Sequence, residues 1–417
     1  MNPIQLVERH IIDLKDPRFP VLDQAAFLSK NLYNAANYQI RQSFIFKGEY
    51  ISYSRMDKLM QQSPDYCALP RKVSQWVLRQ LHQDWKSFFE ANKVYQKDPS
   101  VFTGKPKLPK YKHKTEGRNL LTYTLQAISR KSLTQGIVRP SQLDVEVKTK
   151  KQHIQQVRIA PKKTHYVVEV VYNREPDKND RLNPDWYAGI DLNLDNLAVV
   201  TSNKPGFVPV VVNGRPLKSN NQFYNKRRAE LQSQLPVGTS SRRLDRLTDT
   251  RNRRIDHDLH RASRFIIDLL VQERIGTLIV GKNPSWKQRI NLGTRNNQSF
   301  VQIPHARFAT MLQYKAEMAG IQFILYEESH TSKVSFLDLE PICHQERYQG
   351  RRVRRGLFVS SKGRRIHADV NGSYNIIRKA APCAFTVAGV EGAVVRPVRI
   401  TLTNYKTPFL DSVHFYP

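Results

Sequence analysis

The feature that most limits the possible folds is an acidic residue inside an apolar β-hairpin. Residues 189–200 read Gly-Ile-Asp-Leu-Asn-Leu-Asp-Asn-Leu-Ala-Val-Val, which is two apolar stretches joined by a polar turn. Such stretches predict buried strands, and burying an ionised side chain is unfavourable unless it is paired or binds a metal. Asp191 is therefore either a strand-end residue that caps the turn or a functional carboxylate. Asp195, nearer the turn, is expected to be structural.

The pattern around this hairpin predicts an α/β or mixed domain that starts near Trp186. Apolar stretches of strand length alternate there with segments of helical periodicity, which is the order typical of that fold class. Strands are predicted at residues 188–192, 197–201, 208–212, 277–280 and 321–326, and helices at residues 221–235, 241–274 and 304–319.

The N-terminal part of the chain predicts a β-domain that contains an inserted helical segment. Residues 4–14 are partly alternating, consistent with one strand, and apolar residues recur at helical spacing over residues 21–95. The composition becomes β-rich over residues 119–173, where 155–160 and 165–172 are the clearest strands. We expect the first strand to pair with these later strands, which makes the helical segment an insertion.

The net charge predicts a polyanionic partner. The chain of 417 residues has 67 Lys and Arg against 36 Asp and Glu, a net charge of +31, while 40% of its residues are hydrophobic. That apolar fraction is enough for a folded core, so the charge belongs to a globular protein and not to a disordered tail. Nucleic acid and anionic membrane are the two common polyanions, and composition does not choose between them.

No segment of the sequence predicts a membrane span or an export signal. No run of about 18 apolar residues occurs, and the first residues lack the basic and apolar regions of a signal peptide. Three cysteines, Cys67, Cys343 and Cys383, are too few and too scattered for a disulfide framework. We expect a soluble, cytoplasmic protein with reduced thiols.

A second acidic residue lies in the stretch His-Ala-Asp-Val-Asn-Gly-Ser-Tyr-Asn-Ile at residues 367–376. Asp369 can cap or begin a helix that carries Asn371 and Asn375, and helix capping is a very common role for aspartate. Two such acids and a third would form a site for two Mg²⁺ ions, because hard divalent cations prefer carboxylate oxygen. Two-metal sites stabilise the attacking and leaving oxygens of a phosphodiester, which suits a strongly basic protein.

These motifs together resemble the TnpB family, which comprises transposon-encoded RNA-guided nucleases related to type V CRISPR effectors. The matching segments are Gly189-Ile190-Asp191-Leu192, the Arg-Ile-Asp-His-Asp-Leu-His-Arg-Ala-Ser stretch at 254–263, Thr331-Ser332 and His367-Ala368-Asp369-Val370-Asn371. The resemblance is specific over about residues 186–380. Before that it depends on length, the order of elements and charge.

The resemblance implies a multidomain α+β fold. A β-barrel-like wedge domain with an inserted helical recognition domain would precede an RNase-H-like (RuvC) α/β domain. The implied domains are a wedge domain at 1–18 and 115–182, a recognition domain at 19–114, a nuclease domain at 183–330 and 367–382, a degenerate zinc-ribbon-like hairpin at 331–366 and a C-terminal tail at 383–417.

The resemblance also implies an activity. Family members use a guide RNA transcribed near their own gene, recognise a short motif beside the target, and cut double-stranded DNA with a three-carboxylate RuvC site. Asp191 would match the first carboxylate and Asp369 the third, with Mg²⁺ as the cofactor. Guide pairing would supply the sequence specificity. The implied protein is prokaryotic, associates with the nucleoid when on its target, and needs neither a membrane nor a second copy of itself.

Basic segments are candidates for the contacts with nucleic acid. Residues 104–114 contain five lysines, two prolines and no acid, which fits either a solvated loop or a loop that follows phosphates. Arginines also crowd the predicted helix 241–274 and the segment 351–365, and we interpret both as parts of a heteroduplex channel. The candidate residues are Lys105, Lys107, Lys110, Lys112, Arg253, Arg254, Arg261, Arg264, Arg351, Arg352, Arg354 and Arg355.

The chain departs from the family pattern at the second carboxylate. The family has a glutamate at the end of the strand 278–281, where this chain has Gly281. The next strand ends with Glu327 and Glu328, and a glutamate there could reach the metals from the neighbouring strand. Because side chains alternate along a strand, only one of the two should serve, and we expect the catalytic carboxylate at either position. The predicted set of Mg²⁺ ligands is Asp191, Glu328 and Asp369.

Two alternatives to an active nuclease stay open. If both glutamates are only solvated strand-end acids, the protein is a nuclease-inactive, RNA-guided DNA-binding protein that acts as a repressor or targeting module. The second and weaker alternative is a transposase that joins DNA strands itself.

A second departure concerns zinc. The family has a four-cysteine ribbon after the Thr-Ser motif, but well inside the corresponding interval this chain has Cys343 and His344 alone, with Cys383 beyond the last motif. These residues do not make a tetrahedral site. We expect a metal-free hairpin with strands in 351–359 and at Ile366, and no zinc.

Overall fold

The computed structural model describes residues 3–193, 195–282 and 303–402. The chain divides into two compact units, the first over Gln5–Arg174 and the second beginning at Glu175. The domain boundaries given above are finer than this division and stay predictions. Asn283, which follows the strand at 278–281, and the tail beyond residue 402 lie outside the described residues.

The first unit begins with one strand and continues as four helices. They are β1 (Ile4–Asp13), α1 (Phe19–Lys47), α2 (Tyr53–Met60), α3 (Pro64–Cys67) and α4 (Arg71–Lys97). Helix α1 has a proline in its first turn, where no backbone donor is lost, and it ends at Gly48 with a left-handed φ of 70°. Leu22, Ala26 and Trp85 are buried where α1 and α4 pack together. The helical segment predicted over residues 21–95 is confirmed.

The strands of a four-stranded sheet come both before and after these helices in the sequence. The later elements are β2 (Leu121–Thr124), α5 (Arg130–Thr134), β3 (Ile137–Val138), β4 (Val147–Lys148), β5 (Ile154–Pro161) and β6 (His165–Arg174). The sheet order is β1-β6-β5-β2, while β3 and β4 form a separate antiparallel pair. Because β1 lies beside β6, the first strand does join strands that follow the helices, as the sequence predicts.

The second unit contains a six-stranded mixed sheet and five helices among the described residues. Its strands and helices are β7 (Asn183–Asp191), β8 (Asn196–Ser202), β9 (Val210–Asn213), α6 (Arg215–Gln232), α7 (Arg242–Gln272), β10 (Ile275–Gly281), α8 (His305–Met318), β11 (Gln322–Tyr326), α9 (Ala368–Ala380), α10 (Val387–Glu391) and β15 (Val398–Ile400). The order of the strands in the sheet is β11-β10-β7-β8-β9-β15. Strands β7, β8 and β9 are antiparallel, whereas β10 is parallel to β7 and β11 is parallel to β10.

Every strand and helix predicted for this unit is present, with boundaries shifted by up to several residues, while the short strand β15 and the short helix α10 were not predicted. Strand β7 begins at Asn183 and helix α6 begins at Arg215, both earlier than predicted. Strand β15 lies in the predicted C-terminal tail and pairs in parallel with β9. A three-residue strand has too little periodicity to be detected in the sequence.

The two faces of the sheet have different partners. Ile190 and Val280 pack in the cluster that includes residues of α7 and α8, whereas Val199 and Ile279 pack on the face covered by α9. Because side chains alternate, Asp191 is on the α9 face. A Cβ built on Gly189 would lie 2.5 Å from the backbone oxygen of Ser373, so a glycine is needed for α9 to approach β7.

Between β11 and α9 lies an insertion with its own small sheet. It contains β12 (Arg351–Arg354), β13 (Leu357–Val359) and β14 (Arg365–Ile366), which pair as an antiparallel sheet. The strands predicted in 351–359 and at Ile366 are confirmed. Glu340 is buried and its carboxylate accepts hydrogen bonds from the backbone nitrogens of Ser335, at 2.6 Å, and Gln349, at 2.8 Å.

Candidate active site

Asp191 ends β7 on the sheet face that packs against α9. Asn193 donates a hydrogen bond from Nδ2 to Asp191 Oδ2 at 3.1 Å, and a Cβ built on Gly372 of α9 would lie 3.3 Å from the same oxygen. Burial raises the pKa of Asp191 well above its usual range, and the charges of Glu328 and Asp369 raise it further. Asp191 therefore shares a partly dehydrated place with two other acids.

Glu328 fills the space above Gly281. The parallel register of β10 and β11 aligns Gly281 with Tyr326, so Glu328 lies just beyond the end of the neighbouring strand. A Cβ built on Gly281 would lie 2.2 Å from Glu328 Oε2 and 3.2 Å from Glu328 Cβ. Burial, with a smaller contribution from the charge of Glu327, raises the pKa of Glu328 to about 7. The carboxylate thus reaches the place where a side chain at position 281 would begin.

Glu327 has different partners. Its carboxylate pairs with Lys379 Nζ at 2.5 Å and accepts hydrogen bonds from the backbone nitrogen of Ser329, at 2.9 Å, and the Ser329 hydroxyl, at 2.8 Å. Hydrogen bonds from Lys379 and Ser329 lower the pKa of Glu327 to about 2. The two glutamates therefore diverge, and Glu328 is the one whose charge acts on Asp191.

Asp369 lies in the first turn of α9, and the capping residue is His367, whose Nδ1 accepts a hydrogen bond from the Asp369 backbone nitrogen at 3.3 Å. Of the two structural roles considered from the sequence, Asp369 begins the helix and does not cap it. Asn196 Nδ2 donates to Asp369 Oδ2 at 2.6 Å, and a guanidinium nitrogen of Arg352 lies 3.6 Å from Asp369 Oδ1. Its carboxylate is thus available to the site and not used as a cap.

Asn196 is a site residue that the sequence analysis missed. It begins β8 and is buried, with 8% of its surface exposed. Its amide nitrogen contacts Asp369, while its Oδ1 is buried without a hydrogen-bond partner among the described residues. A buried acceptor without a partner is unfavourable, so its retention beside a carboxylate indicates a role at this site. An asparagine at the start of an apolar strand was the one available signal.

Asp195, in the turn of the hairpin, has structural partners. It pairs with Lys218 at 2.8 Å and with Arg355, and its backbone oxygen accepts from Gly214. These contacts hold the turn beside β9 and the insertion. The structural role expected for Asp195 agrees with this arrangement.

The donor set suits Mg²⁺. Asp191, Glu328 and Asp369 supply carboxylate oxygens from β7, from the end of β11 and from α9, and such oxygens are what Mg²⁺ prefers. Within residues 3–193, 195–282 and 303–402, no three Asp, Glu, His or Cys side chains lie close enough together to hold a metal ion as they stand. Three carboxylates repel one another, and this repulsion adds to burial in raising the pKa of Asp191.

Most candidate nucleic-acid contacts are exposed. Lys105, Lys107 and Lys110 are exposed in the first unit, and Lys112 is half-buried. In the second unit the exposed candidates are Arg253, Arg254, Arg264, Arg351, Arg352, Arg354 and Arg355, while Arg261 is half-buried and donates to the backbone oxygen of Leu402. Arg264 pairs with Asp268 at 2.8 Å, Arg352 lies 3.6 Å from Asp369 at the carboxylate site, and Arg355 pairs with Asp195 in the hairpin turn.

Two family models match parts of the chain. OrfB_IS605, described as "Probable transposase", matches residues 165–287, and "Cas12f1-like, TNB domain" matches residues 305–376. The chain is thus a transposase-related protein with a mixed α/β, multidomain architecture. None of the helices in the described ranges is long and apolar enough to cross a membrane.

A curated relative makes the assignment more specific. "TnpB-like protein ORF457" of Acidianus two-tailed virus is 23% identical over 410 residues, which cover 86% of this chain and 83% of the relative. These sequence matches support the resemblance of the chain to the TnpB family, which is related to type V effectors.

Three solved structures are similar over most of the chain. The Cas12f1-sgRNA-target DNA complex has a TM-score of 0.38 and 13% identity, covering 89% of this chain and 98% of the other. The CRISPR-Cas12f ternary complex has a TM-score of 0.35 and 12% identity, with 85% and 80% covered. The mini-RNA-guided endonuclease CRISPR-Cas_phi3 has a TM-score of 0.40 and 9% identity, with 95% and 94% covered. These scores are below 0.5, so the resemblance to the TnpB family relies on the sequence matches.

Proposed function

We propose that the chain is an RNA-guided DNA endonuclease that hydrolyses phosphodiester bonds with Mg²⁺. Similarity to the TnpB family supports a function of the RNA-guided nuclease kind. The net charge of +31 supports a polyanionic partner, and the mixed sheet with acids at its strand ends supports an RNase-H-like (RuvC) nuclease domain. In this proposal the first unit contains the wedge and recognition domains.

The observation that carries the proposal is the position of Glu328 over Gly281, beside Asp191. A nuclease that had lost its second carboxylate would need no acid at this place. Here an acid from the next strand occupies it, although its burial is unfavourable enough to raise the pKa of Glu328 to about 7. Functional sites are where such unfavourable groups are retained, which supports an active nuclease over the inactive alternative.

Mg²⁺ would be held by Asp191, Glu328 and Asp369. When bound, it would activate water and stabilise the charge that develops on the phosphodiester oxygens. Asn193 orients Asp191 through its amide, and Asn196 orients Asp369. Arg352, near Asp369, can neutralise a phosphate that approaches the acids.

The proposed partners are a guide RNA from the gene's own locus and double-stranded target DNA beside a short flanking motif. Guide pairing would read the target sequence, while the exposed lysines and arginines would hold the phosphate backbones. The three carboxylates come from a single chain, so the site needs no second copy.

The test begins with the RNA that copurifies with the protein. Sequencing should identify one RNA from beside the gene, and DNA that matches it should be cut when Mg²⁺ is present. Asp191→Ala should bind this DNA as well as the unaltered protein and fail to cut it. Random RNA fragments that moderate salt displaces would overturn RNA guidance. Specific binding by an unaltered protein that never cuts would favour the nuclease-inactive alternative.

A further inference from the structure

The second half of the lysine-rich segment 104–114, residues 109–114, is fixed against α1. Four polar residues of α1, Lys30, Asn34, Asn37 and Arg41, follow one another at intervals of four, three and four, so they form a stripe along one helix face. All four contact the backbone of the segment 109–114.

The central contacts are made by the two asparagines. Asn34 Oδ1 accepts from the Lys112 backbone nitrogen at 2.8 Å, and Asn34 Nδ2 donates to the Lys112 backbone oxygen at 2.9 Å. Asn37 Nδ2 and an Arg41 guanidinium nitrogen both donate to the Pro109 oxygen, at 3.0 and 2.9 Å. The Asn34 side chain thus satisfies both backbone polar groups of Lys112, as a neighbouring β-strand would.

The same arrangement continues toward the start of α1. Lys30 Nζ donates to the Lys114 backbone oxygen at 2.7 Å and lies 3.7 Å from the centre of the Phe27 ring. Arg118 pairs with Asp23 at 2.7 Å. Residues 109–118 therefore run antiparallel to α1 over most of its length.

These contacts use polar groups that are costly to bury. Asn37 and Trp85 are 0% exposed and are joined by a hydrogen bond from Trp85 Nε1 to Asn37 Oδ1 at 3.0 Å. Lys30 is 3% exposed, and burial lowers its pKa. A loop that is only solvated needs no such support, because water can satisfy its backbone.

The segment concentrates positive charge at the surface, on its fixed part and on the residues that lead into it. Lys105, Lys107, Lys110 and Lys114 are exposed, and no acid lies among residues 104–114. We propose that residues 104–114 form a preformed binding surface for the phosphate backbone of nucleic acid, and that Asn34 and Asn37 position it. This inference deepens the proposed function and rests on it.

The chemistry of the surface favours phosphates over bases. Lysine ammonium groups are mobile point charges, which suit phosphate oxygens but not the paired donors and acceptors of a base edge. Binding here should therefore depend on salt and not on sequence. Guide RNA and target DNA carry the same phosphate group, and separate probes distinguish them.

The test uses the full-length chain freed of copurified nucleic acid. The probes are a labelled 20-base-pair DNA duplex and a 20-base-pair RNA–DNA heteroduplex, both of arbitrary sequence, titrated over a range of salt concentrations. The test variant is Lys105→Gln/Lys107→Gln/Lys110→Gln/Lys114→Gln. A control with the same charge change replaces exposed helix lysines and is Lys47→Gln/Lys58→Gln/Lys72→Gln/Lys86→Gln.

We expect the loop variant to bind at least about tenfold more weakly than the control at equal salt. Its plot of log affinity against log salt should be less steep by about 0.9 for each lysine that meets a phosphate of the DNA duplex. An effect confined to one probe identifies the nucleic acid that occupies the surface. Equal effects in the loop variant and the control would overturn the inference, because the general field would then explain binding.

A second variant, Asn34→Ala, tests the positioning role with every charge retained. We expect several-fold weaker binding with an unchanged salt dependence, because the lysines remain but must be ordered when the nucleic acid binds. Asn31→Ala on the same helix is the control, since among the described residues Asn31 makes no hydrogen bond to the segment. Thermal unfolding verifies that both variants fold. Binding by Asn34→Ala equal to that by Asn31→Ala would contradict the positioning role.

Failure of this inference is distinguishable from failure of the proposed function. If the protein cuts guided DNA but the loop variant binds like its control, the inference alone fails. If the loop effect is present but no DNA is ever cut, the surface stands and the nuclease proposal fails.

Discussion

The Glu328 carboxylate occupies the space that a side chain at position 281 would need, and Gly281 leaves that space open. A Cβ at position 281 would lie 2.2 Å from Glu328 Oε2, which is closer than any real contact of that kind. A glycine at the end of β10 is therefore not only the loss of an acid. It makes room for an acid from the neighbouring strand.

This relationship predicts that Gly281→Ala impairs the site through Glu328. The new methyl group must displace the Glu328 carboxylate, so Mg²⁺-dependent cleavage should fall at least about tenfold. In a Glu328→Ala background the same substitution should lower cleavage much less, because the carboxylate is gone and the new methyl group then meets chiefly Ile376 Cδ1, 2.6 Å from the Cβ position. Gly104→Ala is the control, since no atom lies within 4 Å of its Cβ position. Equal losses from Gly281→Ala in both backgrounds would refute the steric coupling.

A second prediction concerns Asn196, which fixes Asp369 through a 2.6 Å hydrogen bond. Asn196→Ala should lower Mn²⁺ affinity, measured by calorimetry, and Mg²⁺-dependent cleavage by about 10–100-fold, as removal of a residue that orients a metal ligand usually does. Asn213→Ala is the matched control, because Asn213 lies opposite Asn196 on β9 and contacts Thr401. Unchanged Mn²⁺ affinity in Asn196→Ala would remove Asn196 from the site.

The third prediction concerns pH and the metal-free protein. The pKa of Glu328 is raised from 4.5 to about 7 on folding, so the folded state binds its proton more tightly. The stability contributed by this group is present below the unfolded pKa and is lost as pH rises through about 7. In EDTA, Glu328→Gln should therefore raise the free energy of unfolding at pH 8 by about 2 kcal/mol, with much less change at pH 5.

Glu327→Gln is the control for this measurement. Lys379 and Ser329 lower the pKa of Glu327 to about 2, so its charged form favours the folded state at pH 8. Replacing Glu327 should not stabilise the protein. If chemical denaturation gave Glu328→Gln the same pH dependence as the unaltered chain, the burial of Glu328 would be wrong.

The fourth prediction is that Glu340, and not zinc, holds the insertion together. Its buried carboxylate accepts hydrogen bonds from the backbone nitrogens of Ser335 and Gln349, which flank residues 336–348. Glu340→Ala should lower the free energy of unfolding by about 2 kcal/mol, because one buried and one partly buried backbone donor lose their partner, whereas replacing the exposed Glu346 by alanine should have little effect. Elemental analysis should find no zinc. One zinc per chain that is lost in Cys343→Ser would contradict this.

Periodicity predicted the elements of the second unit well because they are long and strongly patterned. Apolar runs such as 197–201 and 277–280 form buried strands, and the acid in the first hairpin lies at a strand end, as expected. Strand β15 was missed because three residues carry no period, and its pairing with β9 joins residues almost 190 positions apart.

The site could be predicted less completely. Alternation indicated that Glu327 and Glu328 point in different directions, but not which one faces Asp191. That choice depends on Lys379, which binds Glu327 from helix α9 and is distant in the sequence. Asn196 was missed because its role depends on Asp369, which is 173 residues away. The lysine segment allowed two interpretations because the residues that fix it, Asn34 and Asn37, lie on α1. Nothing in the composition of the segment indicates these distant contacts.

The most direct measurement of the central claim compares Mg²⁺-dependent cleavage by the unaltered chain, Glu328→Gln and Glu327→Gln. The substrate is DNA that matches the RNA copurified with the protein. We predict that the unaltered chain and Glu327→Gln cut it at similar rates, while Glu328→Gln is slower by about 100-fold or more and still binds it. Cleavage by Glu328→Gln at the rate of the unaltered chain would contradict the relocation of the second carboxylate to Glu328.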